Sequence, residues 1–305
     1  SISRRLIIIS IFDKKIKMKG FLFPGQGSQF VGMGKDLFES NQKAKSLFNI
    51  ANEILGFKIT DIMFKGSIED LKQTDITQPS IFLHSVILFK ISNINDISAV
   101  AGHSLGEFSA LTAIGTLSFE DGLKLVIKRA RAMQKACELS NSTMAAVLGV
   151  TDEIVERICE NYEDVVPANY NSPGQLVISG SISSIDKISS ELSNEGAKVI
   201  VLPVGGGFHS SYMDPAKKEL EVAINNTKFL NPNCSIYQNY DANSELSVEK
   251  IKEKLILQLT SPVKWTQTVQ NMISDGILEF YECGPGRVLQ GLVKKINREV
   301  TTSSI

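Results

Sequence analysis

Histidine and cysteine are scarce in this sequence, and neither is arranged as a metal site. The 305 residues include only three histidines and four cysteines. The cysteines stand apart with no C-x-x-C pair, at Cys137, Cys159, Cys234 and Cys283. This pattern is typical of a reducing compartment rather than of a disulfide framework or a zinc site. We therefore expect no bound metal.

Two further absences exclude classes of partner. The 32 Lys and Arg residues do not outnumber the 33 Asp and Glu residues, so the formal net charge is -1, whereas nucleic-acid-binding domains usually carry a basic excess. No apolar run approaches the roughly 20 residues that a membrane-spanning helix needs, and the one near the N-terminus, residues 6–12, is much shorter. We expect neither a nucleic-acid nor a membrane partner.

The first 19 residues differ in composition from the rest of the chain. They are basic, contain serine and include a single acidic residue, and we treat residues 1–19 as an N-terminal extension. Two interpretations stay open, the end of a transit peptide or an ordinary ragged terminus. Frequent Ile, Asn and Lys suggest an AT-rich genome. Together these features favour an imported plastid-type organelle, with the bacterial cytoplasm as the alternative.

Hydrophobic residues make up 43% of the chain, enough for a large core, and strand patterns alternate with helical ones. Strands are predicted at 20–23 and 97–101, and helices at 34–40, 43–54, 78–92, 105–114 and 119–139. Strands that alternate with helices predict an α/β fold with a parallel sheet covered on both faces.

The middle of the chain follows a different order. Strands are predicted at 144–150, 165–169, 175–179 and 198–202, with helices at 152–161 and 182–195. The order β-α-β-β-α-β is typical of a ferredoxin-like unit. We therefore predict an inserted ferredoxin-like subdomain at 140–205, and one discontinuous domain formed by residues 20–139 and 206–305.

A serine stands between two glycines in the sequence AGHSLGEFSA, residues 101–110. Ser104 has the spacing G-x-S-x-G and lies between a predicted strand and a predicted helix, which is the context of a nucleophile elbow. Such a turn is so sharp that only small residues fit at Gly102 and Gly106. The helix that follows directs free N–H groups towards a developing oxyanion. The alternative is a structural serine that falls between glycines by chance.

A nucleophilic serine needs a base, and three histidines are available. His103 is adjacent to the serine, so its side chain should point away from the hydroxyl and support the turn. His84 lies in an apolar helical run and is predicted to be a core histidine with its hydrogen bonds satisfied. His209 follows three glycines, which allow the backbone to bring its imidazole close to other segments. A glycine-rich loop with a surface histidine is the alternative.

Seven motifs occur in an order that resembles the malonyl-CoA:acyl-carrier-protein transacylase family of type II fatty acid synthesis. They are FPGQGSQ at 23–29, GHSLGE at 102–107, Arg129, NSPGQ at 171–175, FH at 208–209, QLTSPVKW at 258–265 and ECGPG at 282–286. The resemblance covers residues 20 to about 293. It implies an α/β-hydrolase-like core with an inserted ferredoxin-like subdomain.

The resemblance also implies an activity and a set of roles. Ser104 would attack the malonyl thioester of CoA while His209 takes its proton. The backbone N–H groups of Gln26 and Leu105 would form the oxyanion hole, although the glycines beside Gln26 could serve turn geometry alone. No carboxylate is needed to orient the histidine, because the family uses a backbone carbonyl at the position of Gln258.

Substrate recognition follows from the same resemblance. Arg129 would pair with the free malonyl carboxylate, whereas an arginine in a basic helix is by itself more often solvated. Phe208 resembles the residue that leaves little room for a methyl branch. Asn169 and Asn171 either line the cleft or belong to a turn, and Asn169 is included with His103 among the supporting residues. No cofactor is expected to be bound, and the thioesters of CoA and phosphopantetheine are the substrates.

The implied partners are malonyl-CoA and acyl carrier protein, and we expect a monomer. Because the carrier protein is acidic, a basic docking patch is expected near the cleft. The candidates are Lys128, Arg131, Lys135, Arg287, Lys294 and Lys295, each of which could equally be a solvated surface residue. Two rival functions stay open: a serine esterase or thioesterase that uses the same elbow, and a non-catalytic module that docks the carrier protein.

Overall fold

The computed structural model describes residues 18–305 of the protein. Of the predicted N-terminal extension, residues 1–17 lie outside the described part of the chain. Met18 and Lys19 already belong to the first strand, which therefore begins two residues earlier than predicted.

The described residues form ten strands and thirteen α-helices. The strands are β1 (Met18–Phe23), β2 (Ala99–Gly102), β3 (Ser142–Leu148), β4 (Val166–Ser172), β5 (Gln175–Ser181), β6 (Lys198–Val201), β7 (Ser235–Tyr237), β8 (Ser244–Glu245), β9 (Ile277–Glu282) and β10 (Thr301–Ser304). The helices are α1 (Lys35–Ser40), α2 (Gln42–Leu55), α3 (Ile59–Lys65), α4 (Ile68–Lys72), α5 (Thr74–Ile91), α6 (Gly106–Ala113), α7 (Phe119–Glu138), α8 (Asp152–Cys159), α9 (Ile182–Asn194), α10 (Asp214–Asn225), α11 (Val248–Gln258), α12 (Trp265–Ser274) and α13 (Val288–Ile296). A short 3-10 helix spans Ser211–Met213.

The larger sheet has six strands in the order β10-β9-β1-β2-β7-β8. All neighbouring pairs are parallel except β7 and β8. Its central strand β2 is buried along its whole length, as expected for a parallel strand covered on both faces. The structure thus confirms the predicted α/β class with a mostly parallel sheet.

The smaller sheet is antiparallel, with the order β4-β5-β3-β6. Alternate residues of β3 face different cores, because side chains along a strand alternate between the two faces of a sheet. Ala145 and Val147 pack with α8 and α9 in a small separate core. Met144 and Ala146 pack against the main core of the molecule. The smaller sheet therefore lies with one face on its own two helices and the other on the larger part of the protein.

The predicted elements are all present, with small differences at their ends. The largest differences are in α5, which was predicted to begin at residue 78 and begins at Thr74, and in β4, which was predicted to end at residue 169 and continues to Ser172. The turn between β4 and β5 is consequently confined to Pro173 and Gly174, where Gly174 has a φ of 74°. The two asparagines of this segment lie within the strand rather than in the turn.

Strand β4 is also joined to the segment that follows α11. The N–H of Val263 donates to the carbonyl of Ala168 at 2.8 Å, and the N–H of Tyr170 donates to the carbonyl of Val263 at 2.9 Å. The hydroxyl of Thr266 donates to the carbonyl of Tyr170 at 3.1 Å. These bonds connect the smaller sheet to the chain immediately after Gln258.

His84 is buried in α5, as predicted, but its hydrogen bonds are not satisfied as predicted. Its Nδ1 has no partner within residues 18–305. Burial lowers the pKa of His84 to about 4, so the ring is neutral at pH 7 and the missing partner leaves no buried charge. Within the same residues, no helix combines the length and apolar character that a membrane crossing requires.

Candidate active site

Ser104 occupies a tight turn between β2 and α6 that two glycines make possible. A Cβ on Gly102 would lie 1.9 Å from the carbonyl carbon of Gly106, and one on Gly106 would lie 2.0 Å from the carbonyl oxygen of Phe23. No side chain fits at such distances, so the sequence requirement is steric. Ser104 itself has a φ of 54°, a left-handed conformation that is strained for any residue but glycine.

His209 lies directly against Ser104. Its Nε2 atom is 2.9 Å from the Ser104 Oγ, a hydrogen-bonding distance for a base and the hydroxyl it activates. His209 also has a positive φ, 56°, and is 3% exposed. The three glycines before it lie against other side chains, and a Cβ on Gly206 would lie 2.6 Å from the Cys137 sulfur.

The other nitrogen of His209 faces the backbone of α11. Its Nδ1 is 2.9 Å from the carbonyl oxygen of Gln258, which can accept a hydrogen bond from a protonated Nδ1. In that tautomer Nε2 is free to accept a proton from Ser104. Burial, and after it the positive charge of Arg129, lowers the pKa of His209 to about 3. The hydrogen bond to the Gln258 carbonyl acts in the opposite direction and raises this pKa. The imidazole is therefore a neutral base at physiological pH.

Arg129 reaches the serine from α7 and is almost fully buried, at 1% exposure. Its Nη2 donates to the Ser104 Oγ at 3.0 Å and to the Gln258 Oε1 at 3.2 Å, and its Nη1 donates to the Gln78 Oε1 at 2.8 Å. Its Nε has no acceptor within residues 18–305. Burial lowers its pKa to about 10, while Glu107 raises it, so the guanidinium stays charged at neutral pH.

Two backbone N–H groups beside the serine are available as donors. Among the described residues, the N–H groups of Gln26 and Leu105 donate no hydrogen bond, and both residues line the same cleft as Ser104. The loop that carries Gln26 lies close to the serine turn, since a Cβ on Gly25 would be 2.4 Å from the His103 carbonyl oxygen. The arrangement can accept a negatively charged oxygen between the two segments.

The remaining predicted residues surround this cleft, which has a volume of about 390 Å³. Phe208, Asn169 and His103 all line it. The His103 Nε2 lies 2.7 Å from the Asn171 Oδ1, so the ring is turned away from the Ser104 hydroxyl. The Oδ1 of Asn169 is buried without a partner in the described chain.

Three buried polar residues of the site were not predicted from the sequence. Gln78 holds Arg129, and Asn239 contacts the Ser104 turn, its Oδ1 accepting from the Ser104 N–H at 2.7 Å. Glu107 accepts a hydrogen bond from the backbone N–H of Asn239. A polar residue inside an apolar helix, as Gln78 is in α5, was the available signal. Within residues 18–305, no group of three or more His, Cys, Asp or Glu is placed to hold a metal ion.

Comparisons with known proteins identify the family of the chain. The family model described as "Acyl transferase domain" matches residues 20–304. The malonyl CoA-acyl carrier protein transacylase of Bacillus subtilis (strain 168) is 42% identical over 294 residues, covering 93% of this chain and 92% of the relative. The chain belongs to the malonyl CoA-acyl carrier protein transacylase family. The family resemblance that the seven motifs indicated is therefore confirmed, and the protein is an acyltransferase.

Solved structures of this family have the same fold. The malonyl CoA-acyl carrier protein transacylase of Coxiella burnetii superposes with a TM-score of 0.91 at 34% identity, covering 94% of this chain and 93% of that one. A second structure contains a malonyl-transacylase in complex with its type II PKS acyl-carrier protein. It superposes with a TM-score of 0.91 at 34% identity, covering 94% of this chain and 96% of that one.

Proposed function

We propose that this acyltransferase moves a malonyl group from malonyl-CoA to the phosphopantetheine thiol of acyl carrier protein, through a malonyl ester of Ser104. One observation carries the proposal. The Ser104 hydroxyl lies 2.9 Å from a neutral histidine nitrogen and 3.0 Å from a buried guanidinium. A base for acyl transfer and a cation for a carboxylate thus converge on one oxygen.

The first half-reaction forms the acyl enzyme. Ser104 Oγ attacks the thioester carbonyl carbon, and its proton passes to His209 Nε2. The tetrahedral oxyanion accepts hydrogen bonds from the N–H groups of Gln26 and Leu105, an interaction worth about 10²–10³ in rate for each donor. The C–S bond then breaks, and the CoA thiolate takes the proton from His209.

The second half-reaction reverses these roles. The pantetheine thiol of the carrier protein gives its proton to His209, and its sulfur attacks the ester carbonyl. The bond between the carbonyl carbon and Ser104 Oγ breaks, and the proton returns from His209 to the serine. The Gln258 carbonyl holds the imidazole in the tautomer that both steps need, without the carboxylate of a three-member triad.

Arg129 would select acyl groups that end in a carboxylate. Its Nη2 and its Nε, which has no acceptor within residues 18–305, form one edge of the guanidinium, and such an edge binds a carboxylate through two parallel hydrogen bonds. The Nη1 stays bonded to Gln78. An acetyl group would leave the Nε without an acceptor, and sites built around a polar partner reject analogues that lack it.

Several finer features of the protein belong to the same proposal. The Ser104 turn acts as a nucleophile elbow on an α/β-hydrolase-like core formed by residues 20–139 and 206–305. Residues 140–205 form a ferredoxin-like subdomain, which the strand order β4-β5-β3-β6 supports. The protein is a monomer without a bound cofactor, and composition alone supports a plastid-type compartment, whereas the relatives named above come from bacteria.

Basic residues near the cleft would dock the acidic carrier protein. Of the basic candidates, Lys128 and Lys135 both lie 3.5 Å from Glu219, and Lys295 donates to Gln175 at 3.2 Å. Exposed pairs of this kind contribute little to stability, so these cations remain available to an acidic partner.

Mass spectrometry of the protein after brief mixing with malonyl-CoA tests the proposal. We expect an adduct of one malonyl group on the peptide that contains Ser104, absent in Ser104→Ala, and discharged faster by holo-acyl carrier protein than by buffer. Release into buffer at the same rate would indicate a hydrolase. Absence of an adduct would indicate a docking module.

A further inference from the structure

The backbone of the serine turn is held at two points by one buried side chain. The Oδ1 of Asn239 accepts from the Ser104 N–H at 2.7 Å, and its Nδ2 donates to the Gly102 carbonyl at 2.7 Å. A single carboxamide therefore spans the turn from the residue before His103 to the residue after it. Asn239 is fully buried, so water does not compete for either bond.

These two bonds act where the backbone is strained. Ser104 has a left-handed φ, a strained conformation that persists only where its surroundings enforce it. The Nε2 of Gln258 adds a third bond, to the Ser104 carbonyl at 3.0 Å. The peptide groups on both sides of Ser104 are thus fixed from outside the turn.

Asn239 also decides which donors are left for the oxyanion. Because the Ser104 N–H is bonded to Oδ1, it is not available to the substrate. The N–H of Leu105 and that of Gln26 remain free within the described residues. The amide consequently turns the peptide plane so that the N–H after the serine, and not the serine's own, faces the cleft.

The backbone of Asn239 is in turn held by Glu107. The backbone N–H of Asn239 donates to the Glu107 Oε1, and its carbonyl accepts from the Lys264 N–H at 3.1 Å. Glu107 is fully buried and lies on α6, the helix that begins just after the serine. Helix α6, which follows the serine turn, therefore holds Asn239 in place through Glu107, and Asn239 holds the turn.

We propose that Asn239 is a positioning residue for the transfer reaction, holding Ser104 in the reactive backbone conformation, and that Glu107 positions Asn239 through a hydrogen bond that an amide could replace. The inference rests on the proposed function for its biological meaning. The predicted quantity is the rate at which the Ser104 hydroxyl reacts with an electrophile.

A fluorophosphonate probe tests that reactivity without using the malonyl carboxylate. The serine oxygen forms a bond to phosphorus, fluoride leaves, and the serine proton passes to His209. We expect Asn239→Ala to slow labelling of Ser104 and malonyl-adduct formation alike, by about a hundredfold, the loss that a misplacement of about 1 Å can cause. Asn243→Ala, an exposed amide in the same loop, should label at the wild-type rate.

Two conservative variants separate positioning from folding. Asn239→Asp keeps an acceptor for the Ser104 N–H and can donate to Gly102 only while protonated, so its labelling rate relative to wild type should fall as pH rises from 6 to 8.5. Two charged groups lie near residue 239. Glu107 accepts from its backbone N–H, and the positive charge of Arg129 acts on Glu107. Glu107→Gln keeps an acceptor for Asn239 and should label within about threefold of wild type, whereas Glu107→Ala should resemble Asn239→Ala.

The outcomes distinguish this inference from the proposed function. Equal labelling of wild type and Asn239→Ala, or an Asn239→Asp profile parallel to that of wild type, would overturn the role of Asn239. A Glu107→Gln variant as slow as Glu107→Ala would overturn the hydrogen-bonding role of Glu107. A wild-type protein that is labelled by the probe but forms no malonyl adduct would contradict the proposed function and leave the positioning role supported.

Discussion

The Nε2 of His209 lies 2.9 Å from the Oγ of Ser104, although 105 residues separate them in the chain. The smaller sheet with its two helices is inserted between them in sequence. The pairing therefore depends on how the chain returns from β6 to the main core. It returns through a glycine-rich segment that ends in a histidine with a left-handed φ, so the base is placed by backbone conformation and not by a regular element.

Replacement of Arg129 should change substrate choice more than the chemistry of the serine. We expect Arg129→Ala to lose at least about a hundredfold in kcat/KM for malonyl-CoA, because the malonyl carboxylate would lose its cationic partner. Transfer from acetyl-CoA, which has no such carboxylate, should change by less than about threefold. Arg131→Ala, two residues away on α7 and exposed, is the control. Equal losses for both thioesters would refute carboxylate recognition by Arg129.

A methyl group on Gly25 should impair the oxyanion hole. The added Cβ would lie 2.4 Å from the His103 carbonyl oxygen, so the loop that carries Gln26 must move away from the serine turn. We expect Gly25→Ala to lower kcat by about 10²–10³, the usual loss for one oxyanion donor. Gly291→Ala, where a Cβ meets nothing within 4 Å, should keep full activity. A Gly25→Ala enzyme with wild-type kcat would show that the Gln26 N–H is not needed.

Truncation of Phe208 should relax discrimination against a branched acyl group. One methyl group is worth about 1–3 kcal/mol of discrimination in a pocket, so we expect Phe208→Ala to raise the ratio of kcat/KM for methylmalonyl-CoA over malonyl-CoA by about fivefold to a hundredfold. Phe208→Leu, with more bulk, should give a smaller change. If the ratio is the same in all three proteins, the ring does not set this selectivity.

Stability should be greatest near pH 6.5. Burial lowers the pKa of His84 to about 4 and of His209 to about 3, and it also lowers the pKa of His103. These histidines bind more protons when unfolded, so the free energy of unfolding rises with pH up to about 6.5. Burial raises the pKa of Glu107 to about 8, so this residue binds more protons when folded and stability falls as pH rises from about 4.5 to 8.

Between pH 4.5 and 6.5 the three histidines are opposed by Glu107 and by Asp152 and Glu282, whose pKa values burial also raises. Above pH 6.5 the histidines add nothing further, and Glu107, with its pKa of about 8, lowers stability as pH rises. Urea unfolding at pH 5, 6.5 and 8 measures both slopes. In Glu107→Gln the decrease between pH 6.5 and 8 should disappear while the rise below pH 6.5 remains. A decrease of the same size in that variant would assign it to other groups.

The fold and the reacting groups could be predicted from the sequence because both depend on local rules. Periodicity and turn residues identified the strands and helices, and the steric need for Gly102 and Gly106 is visible as a G-x-S-x-G spacing. The resemblance of seven motifs supplied Arg129, Gln26 and Gln258, whose side chains or backbone lie at the cleft. Gln26 and Gln258 stand within short strings that contain glycine, proline or polar residues, whereas Arg129 lies in a helical run, LVIKRARAMQ at 125–134, and was identified through the resemblance alone.

The buried residues that contact Ser104 and Arg129 could not be predicted from the sequence, and the reason is physical. Asn239 follows β7 and meets Ser104 only because β7 pairs with β2 in parallel register, which no local pattern reveals. Gln78 likewise meets Arg129 through the packing of α5 against α7. For His84, burial could be predicted from the apolar run around it, but the lack of a partner for its Nδ1 among residues 18–305 depends on the exact side chains across the helix interface.

The backbone bonds of Val263 to residues 168 and 170 have a mechanical consequence. They join one edge of the smaller sheet to the stretch of chain that presents the Gln258 carbonyl to His209. That side of the cleft is therefore held in place. Residues 202–204, between the end of β6 and the glycines, also line the cleft, and the N–H of Leu202 donates to the carbonyl of Met144 in β3 at 2.9 Å. The smaller sheet therefore contributes both to the walls of the cleft and to the position of the carbonyl that orients the base.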